Sequence, residues 1–365
     1  MSSEMTVVAL AVTAVLVAWA SAAEPDAGKP AMSPTALKPD AKAAQAAEAA
    51  KHTVTIQSTR DGSPQKALFY VPPEARPGGK GALAPLLVTL HTWSNGFDQC
   101  VEYLPHAVER KWVMVAPDFR GRNDRPEACG SALAIQDVLD AVAYARAHAR
   151  VDESRIYLVG VSGGGHMSLL MAAKAPQVWA GVSAWVPISD LAAWHAENVA
   201  TNRGYAKSIE KACGGPPGPK TAAEYRARSS IFHLAAAKGL PIDLNAGIHD
   251  GHTGSVPISH TLRAFNLLAE VNGLKDRQLS AEQIAFMTDK EQPSPDLAGQ
   301  GAKDSERKRS VLFRREAGPA RVTLFDGGHE GETRAALSWL ARQKKGAPPA
   351  HQPAAAPAPA GPAAR

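Results

Sequence analysis

The sequence predicts an α/β protein: a mainly parallel sheet with helices on both faces, carrying a small cap insertion. Three observations predict it. Short β-branched or aromatic runs alternate with longer amphipathic stretches from residue 53 to residue 342, the pattern that feeds strand–helix–strand crossovers. Residues 86–90 form an apolar run typical of a strand buried on both faces. Residues 155–167, Arg-Ile-Tyr-Leu-Val-Gly-Val-Ser-Gly-Gly-Gly-His-Met, run from a buried strand through clustered glycines into a helix of small apolar residues.

In chain order, residues 53–57 and 66–71 alternate in polarity and read as an antiparallel pair around the turn Arg60-Asp61-Gly62-Ser63. The strand at 86–90 follows, then a helix over 98–110 and a strand over 112–116. Residues 132–149 form a long helix with Leu133, Val138, Val142 and Ala145 on one face. After the strand ending at Val161 come strands at 180–186 and 242–248, a helix at 257–271, a strand at 322–325 and a closing helix at 333–342. Two segments break the alternation. Residues 189–228 hold Trp194, His195, Tyr205, Cys213 and a Gly/Pro-rich run, and read as a cap over the site. Residues 273–320 hold a short helix near 280–287, a polar loop and a hairpin from Val311 through Gly318-Pro319.

The ends differ from the middle. Residues 6–20 are apolar and too short to span a bilayer comfortably. Ser21-Ala22-Ala23 follows, so residues 1–23 read as a signal peptide cleaved after Ala23. Glu4, and no Lys or Arg ahead of the run, keep an uncleaved anchor open as the alternative. Residues 24–50 read as a disordered Ala/Pro-rich linker, or partly helical near 41–50, and residues 346–365 as a disordered Pro/Ala-rich tail. The catalytic domain is then 51–345. A secreted or periplasmic location is expected, with no stable membrane span once the leader is removed. Net charge is +5, and the densest basic cluster, 303–309, is broken by Asp304 and Glu306. No nucleic-acid partner is therefore expected.

The chemistry centres on Gly160-Val-Ser162-Gly-Gly164, which fits G-x-S-x-G between a strand and a helix. A Ser on so sharp a turn needs neighbours without side chains, which explains Gly160 and Gly164. Ser162 is the candidate nucleophile, and the N–H of Gly163 can hold an oxyanion. A Ser nucleophile needs a base, and the base an orienting acid. Gly327-Gly-His329-Glu-Gly331 follows the last strand and supplies the base, His329. The acid should lie between them in the chain. Asp250, just past the strand ending at Ile248, is the choice; Asp190 reads instead as a helix N-cap, and Asp326 is too close to His329 in sequence. His249, His252 and His260 match no closed zinc set and read as loop polar groups. His166 reads as packing. A second oxyanion donor is expected from the loop after residue 90: the N–H of Trp93, or of Thr92. Thr92 is a candidate substrate-binding residue, and Trp93, Trp185 and Trp194 are candidate walls of the substrate pocket, with core packing the competing role for Trp93 and Trp185.

With these residues in hand, the chain resembles an α/β-hydrolase, and within that fold the catalytic domain of the prolyl oligopeptidase family and related bacterial esterases. The resemblance rests on residues 160–165, on Asp250 through Val256-Pro257, and on 327–331. It implies Ser162 as nucleophile, Asp250 as acid and His329 as base. It also places His91-Thr92-Trp93 where relatives read His-Gly-Gly or His-Gly-x; Thr92 replaces that glycine. Full members carry a β-propeller ahead of this domain, and some fifty residues cannot supply one, so strict oligopeptide selectivity is not implied.

The expected activity is two-step acyl transfer with no metal or organic cofactor, acting on a small-molecule ester or peptide. A secreted carboxylesterase on short-acyl or polysaccharide-linked esters is the first reading. A serine peptidase is the second, and a non-catalytic binding module on a hydrolase shell the third. Three cysteines allow at most one intramolecular disulfide, with Cys129–Cys213 as the candidate pair, or three free thiols.

Overall fold

The structure, a computed structural model, describes residues 39–350. The signal peptide, residues 24–38 of the linker and residues 351–365 of the tail lie outside the described residues.

In chain order the chain forms α1 (Pro39–Lys51), β1 (Thr53–Gln57), β2 (Pro64–Tyr70), β3 (Ala84–Leu90), α2 (Leu104–Arg110), β4 (Val113–Pro117), α3 (Ala132–His148), β5 (Val151–Val161), α4 (Gly163–Lys174) and β6 (Gly181–Trp185). Then come α5 (Leu191–Ala200), α6 (Tyr205–Cys213), α7 (Ala222–Arg228), β7 (Ile242–Gly247), α8 (Ser259–Val271), α9 (Ala281–Lys290), β8 (Val311–Ala317), β9 (Ala320–Phe325) and α10 (Thr333–Leu340). The nine strands form one sheet in the order β1-β2-β4-β3-β5-β6-β7-β9-β8. From β4 to β9 all neighbours pair in parallel; β1, β2 and β8 are antiparallel additions at the edges. This is the α/β-hydrolase architecture.

Strand parity divides the core. Leu86, Val88, Leu90, Ile156, Leu158, Val182 and Leu244 face α3, α4 and α8. Leu87, Tyr157, Val159, Trp185 and Phe325 face α2 and α10. Both faces are covered, so the central strands carry apolar residues on both sides. A third cluster lies under α5–α7 and joins Trp93 to Ile188, Leu191, Trp194, Ile209, Tyr225 and Val256.

Three expectations are corrected, and one open choice is decided. Of the two readings of residues 24–50, the partly helical one describes residues 39–50: α1 is a helix, Ala49 is buried, and Gln45 donates to the carbonyl of Gln99 at 3.2 Å. Ala-rich composition favours a helix once its face has something to pack on. Residues 98–110 are not one helix but a 3-10 turn, Phe97–Tyr103, followed by α2. Pro105 sits at the start of α2, where its missing N–H is harmless; inside a longer helix it would break the ladder. Residues 346–350 of the tail are tied back, with the Gln343 side chain pairing with the Ala350 carbonyl at 2.6 Å and N–H at 3.2 Å. Finally, Cys129 and Cys213 form no disulfide. All three cysteines are free and buried. Cys129 and Cys213 pack as small apolar side chains in the cluster under the cap. Burial pushes both thiols up, Cys213 to about 11.

Candidate active site

Ser162 follows the carboxyl end of β5 and starts α4, at φ 59° and ψ −116°. A residue with a β-carbon rarely adopts that conformation, and here the surroundings over-determine it. The Ser162 N–H donates to the Trp185 carbonyl at 2.8 Å, and its own carbonyl accepts from His166 N–H at 2.8 Å. The glycines let the turn close. A β-carbon on Gly160 would run into the backbone of Gly164, and one on Gly164 into the carbonyl of Leu90.

His329 stands on the loop between β9 and α10, with its Nε2 2.8 Å from Ser162 Oγ. Its Nδ1 lies 2.7 Å from Asp250 Oδ2. A carboxylate only accepts, so Nδ1 carries the proton and Nε2 presents a lone pair to the Ser162 hydroxyl. Asp250 is buried. Its second oxygen accepts from the N–H groups of Gly251 at 2.9 Å and Val256 at 3.1 Å, which aims the carboxylate at His329. Two cap residues brace this loop. Trp194 Nε1–H donates to the Ser255 carbonyl at 2.7 Å, and Arg203 to the Gly251 carbonyl at 3.2 Å.

Opposite, the loop after β3 brings the backbone nitrogen of Trp93 against Gly163, where any β-carbon would strike it. Gly163 N–H is the first of α4 and has no intrahelical acceptor. The two backbone nitrogens therefore lie close together beside Ser162. Thr92 is not the donor: its N–H is taken by Gln99 Oε1 at 2.9 Å. The Trp93 carbonyl is fixed by Asn123 N–H at 2.9 Å.

The other candidates sort by burial. Trp185 is corrected from pocket wall to core: it is fully buried on the α10 face, donates to Ser183 Oγ, and lies under the Arg307 guanidinium. Trp194 is also fully buried and backs Trp93 edge-on at 4.8 Å, one layer behind the site rather than lining it. Asp190 caps α5, accepting from Ala192 and Ala193 N–H. His249 and His252 pair with Glu291, and His260 with Glu197. Among the described residues no three His, Cys, Asp or Glu side chains gather as a metal site, and no helix is long and apolar enough to cross a membrane.

Beneath the site, β7 carries a buried ion pair, Asp243 with Arg321 at 2.8 Å. Burial alone would raise Asp243, but Arg321 outweighs it and holds the carboxyl at about 2. His166 is fully buried, and burial lowers its pKa to about 4. A cleft of about 530 Å³ opens elsewhere, between α5, α8 and α9, lined by Glu197, Arg263, Leu279, Ile284 and Thr288. Neither Ser162, Asp250 nor His329 lines it, so cavity size alone does not locate the chemistry.

Several residues of this arrangement have no place in the sequence pattern. Gly254 packs so closely that a β-carbon would meet Asp250 Oδ1 and the His329 β-carbon. Gln99, Asn123 and Arg203 hold the surrounding loops. A glycine four residues past the acid is a visible signal for the first; the others act across the fold and leave no local pattern.

The family model described as "Prolyl oligopeptidase family" matches residues 105–288. The chain belongs to the prolyl oligopeptidase family of serine hydrolases. The matched span contains Ser162 and Asp250 and stops before His329. The chain is also 30% identical over 121 residues to poly(3-hydroxyalkanoate) depolymerase C of Paucimonas lemoignei, covering 29% of this chain and 28% of that one. Among solved structures, Pyrococcus horikoshii acylaminoacyl peptidase matches with a TM-score of 0.52 at 14% identity, over 79% of this chain and 39% of that one. A Mycobacterium tuberculosis puromycin-hydrolyzing peptidase matches at 0.51 and 16%, over 79% and 37%. At such identities the likeness is one of fold. The chain spans well under half the length of each of these three proteins.

Proposed function

We propose that this member of the prolyl oligopeptidase family is an exported carboxylesterase. It cleaves short-acyl esters, free or carried on polysaccharide, through an acyl-enzyme on Ser162. The observation that carries the reading is the unbroken chain Ser162 Oγ, His329, Asp250, with 2.8 and 2.7 Å steps, beside the closely packed backbones of Gly163 and Trp93. His329 Nε2 takes the Ser162 proton as Oγ attacks the carbonyl carbon. Gly163 and Trp93 N–H hold the oxyanion. His329 then gives the proton to the departing oxygen, and water repeats the cycle to release the acid. Asp250 keeps the ring in its working tautomer.

Two features favour a small acyl group on an ester. Trp93 is 3% exposed and backed by Trp194, Ile188, Leu191 and Val256, which leaves a packed wall beside the oxyanion position. The relative named a poly(3-hydroxyalkanoate) depolymerase acts, by that name, on a polymer of ester-linked units. Export rests on the apolar run at 6–20 and the small residues that follow it.

The test is kcat/KM of the full chain on p-nitrophenyl acetate and butyrate against aminoacyl and prolyl p-nitroanilides. Ester turnover should dominate, acetate above butyrate, and Ser162→Ala should remove at least about 10⁴-fold. Dominant anilide turnover would make the protein a peptidase. Folded protein that neither turns over esters nor reacts with a fluorophosphonate would be a binding module.

A further inference from the structure

We propose that His166 is a positioning residue for the oxyanion hole: its Nδ1 accepts, through one buried water, from the indole N–H of Trp93. The proposal rests on the reading of Trp93 as an oxyanion donor. His166 lies one turn into the helix that Ser162 starts and is fully buried. Its Nε2 is 2.8 Å from the carbonyl of Arg228, the last residue of α7. A carbonyl can only accept, so Nε2 carries the hydrogen and Nδ1 is a bare lone pair. That tautomer is locked from outside the helix. The Arg228 guanidinium donates to the carbonyls of Pro126, Ala128 and Cys129, so the residue offering the carbonyl is itself pinned to the body.

Nδ1 of His166 is buried with no protein partner among the described residues, and so is Nε1 of Trp93. One is an acceptor and the other a donor. Their rings stand 6.0 Å apart at 59°. The two rings are neighbours, and one water between the bare acceptor and the bare donor would satisfy both, as buried polar atoms are rarely left unpaired. At neutral pH His166 stays an acceptor, since burial holds its pKa near 4.

The consequence reaches the reaction through Trp93. Its carbonyl is held by Asn123 and its outer face by Trp194. The His166 link anchors the far end of the indole, so that the Trp93 backbone is held through its own side chain as well as through its carbonyl, and loss of the anchor lets the residue shift as a whole. A donor misplaced by a fraction of an ångström stabilises the transition state less without weakening substrate binding.

The experiment compares His166→Phe, Trp93→Phe and the double variant of the full chain on p-nitrophenyl acetate, with melting temperatures alongside. Each single variant should lower kcat about tenfold with KM within about twofold. The double variant should be no worse than the worse single one, because both remove the same link. His166→Gln, whose amide can donate to Arg228 and accept from the water, should restore most of kcat. Wild-type kcat in either single variant, losses that multiply in the double, or no rescue by Gln would overturn the proposal. Should His166→Phe fail to fold, Trp93→Phe against His166→Gln carries the same decision. Ser162→Ala separates the two readings. If that variant keeps ester turnover, the triad reading fails. If it is dead while His166→Phe runs at the wild-type rate, only the role of His166 falls.

Discussion

The turn that carries Ser162 and the loop that carries Asp250 deliver two ends of one hydrogen-bonded chain, and they are held in opposite ways. The serine turn is backbone against backbone. Gly160 lies on Gly164, Gly164 on the Leu90 carbonyl, Gly163 on the Trp93 nitrogen, and a β-carbon on Gly165 would stand 2.7 Å from the Trp185 carbonyl. The acid loop is held by side chains from elsewhere: Arg203 and Trp194 of the cap on its carbonyls, and Glu291 beside His249 and His252. The first arrangement is rigid because nothing in it can rotate. The second can adjust, because side chains that hold a loop can also shift with it. The two regions should therefore fail differently when crowded.

The sharpest way to break this contrast is Gly164→Ala. Its β-carbon would meet the carbonyls of Leu90 and His91 at the end of the central strand β3, and neither backbone can yield. A loss of about 3–5 kcal/mol is expected, seen as a melting temperature lowered by about ten degrees or more, or as failure to accumulate folded protein. A normal melt with full activity would show that the turn is softer than its contacts imply.

Gly254→Ala applies the same insult to the other region, with a smaller result. The new methyl meets the Asp250 carboxylate, which can rotate, and the His329 β-carbon, which gives only if the loop carrying His329 shifts with it. The loop can make room by moving the carboxylate, so the fold should survive with a melting temperature within about 3 °C. The displaced carboxylate should lower kcat about a hundredfold. Collapse of the fold would place this loop in the same rigid class as the serine turn.

The same contrast explains what residue order reveals. Gly160-Val-Ser-Gly-Gly164 is legible because the crowded positions fall on consecutive residues and demand glycine there, even though Leu90 and Trp93, which crowd Gly164 and Gly163, lie elsewhere in the chain. The order strand, Gly-rich loop, helix around His329 is legible for the same reason, and so is the alternation that gives the parallel sheet. Asp250 is legible only by its place after a buried strand, since its fixtures at Gly251 and Val256 are backbone N–H groups with no residue signature. Trp185 misleads because nearness to the site along the chain says nothing of strand parity. It is the partner of Val161 in the ladder, yet its ring falls on the face of Leu87 and Tyr157, away from the cap. Helix α1 is half legible: its Ala-rich composition suits a linker or a helix, and only the packing of Ala49 on the α2 side of the sheet decides between them. The tie from Arg228 to residues 126–129 spans about a hundred positions, and no window on the sequence could contain it.

The smallest effect sharpens the comparison from within the rigid region. His166 is a titrating side chain sealed into the serine-bearing helix, and burial lowers its pKa from 6.5 to about 4. The folded protein therefore holds that proton less tightly than the unfolded chain does. Above pH 6.5 neither state is protonated there, and the full stability is present. As pH falls from 6.5 toward 4 the unfolded chain gains the proton first, and stability drains away until the folded state is protonated too. The total is at most about 3.5 kcal/mol, since each tenfold change in proton affinity is worth roughly 1.4 kcal/mol. His166→Phe removes this group, so its melting temperature should fall less steeply than that of the wild type between about pH 7 and pH 4.5. The gap between the two proteins should narrow by several degrees over that range. Parallel curves would mean that water reaches His166 well enough to keep its proton affinity near that of the unfolded chain, and that the serine-bearing helix is less sealed than its glycine contacts require.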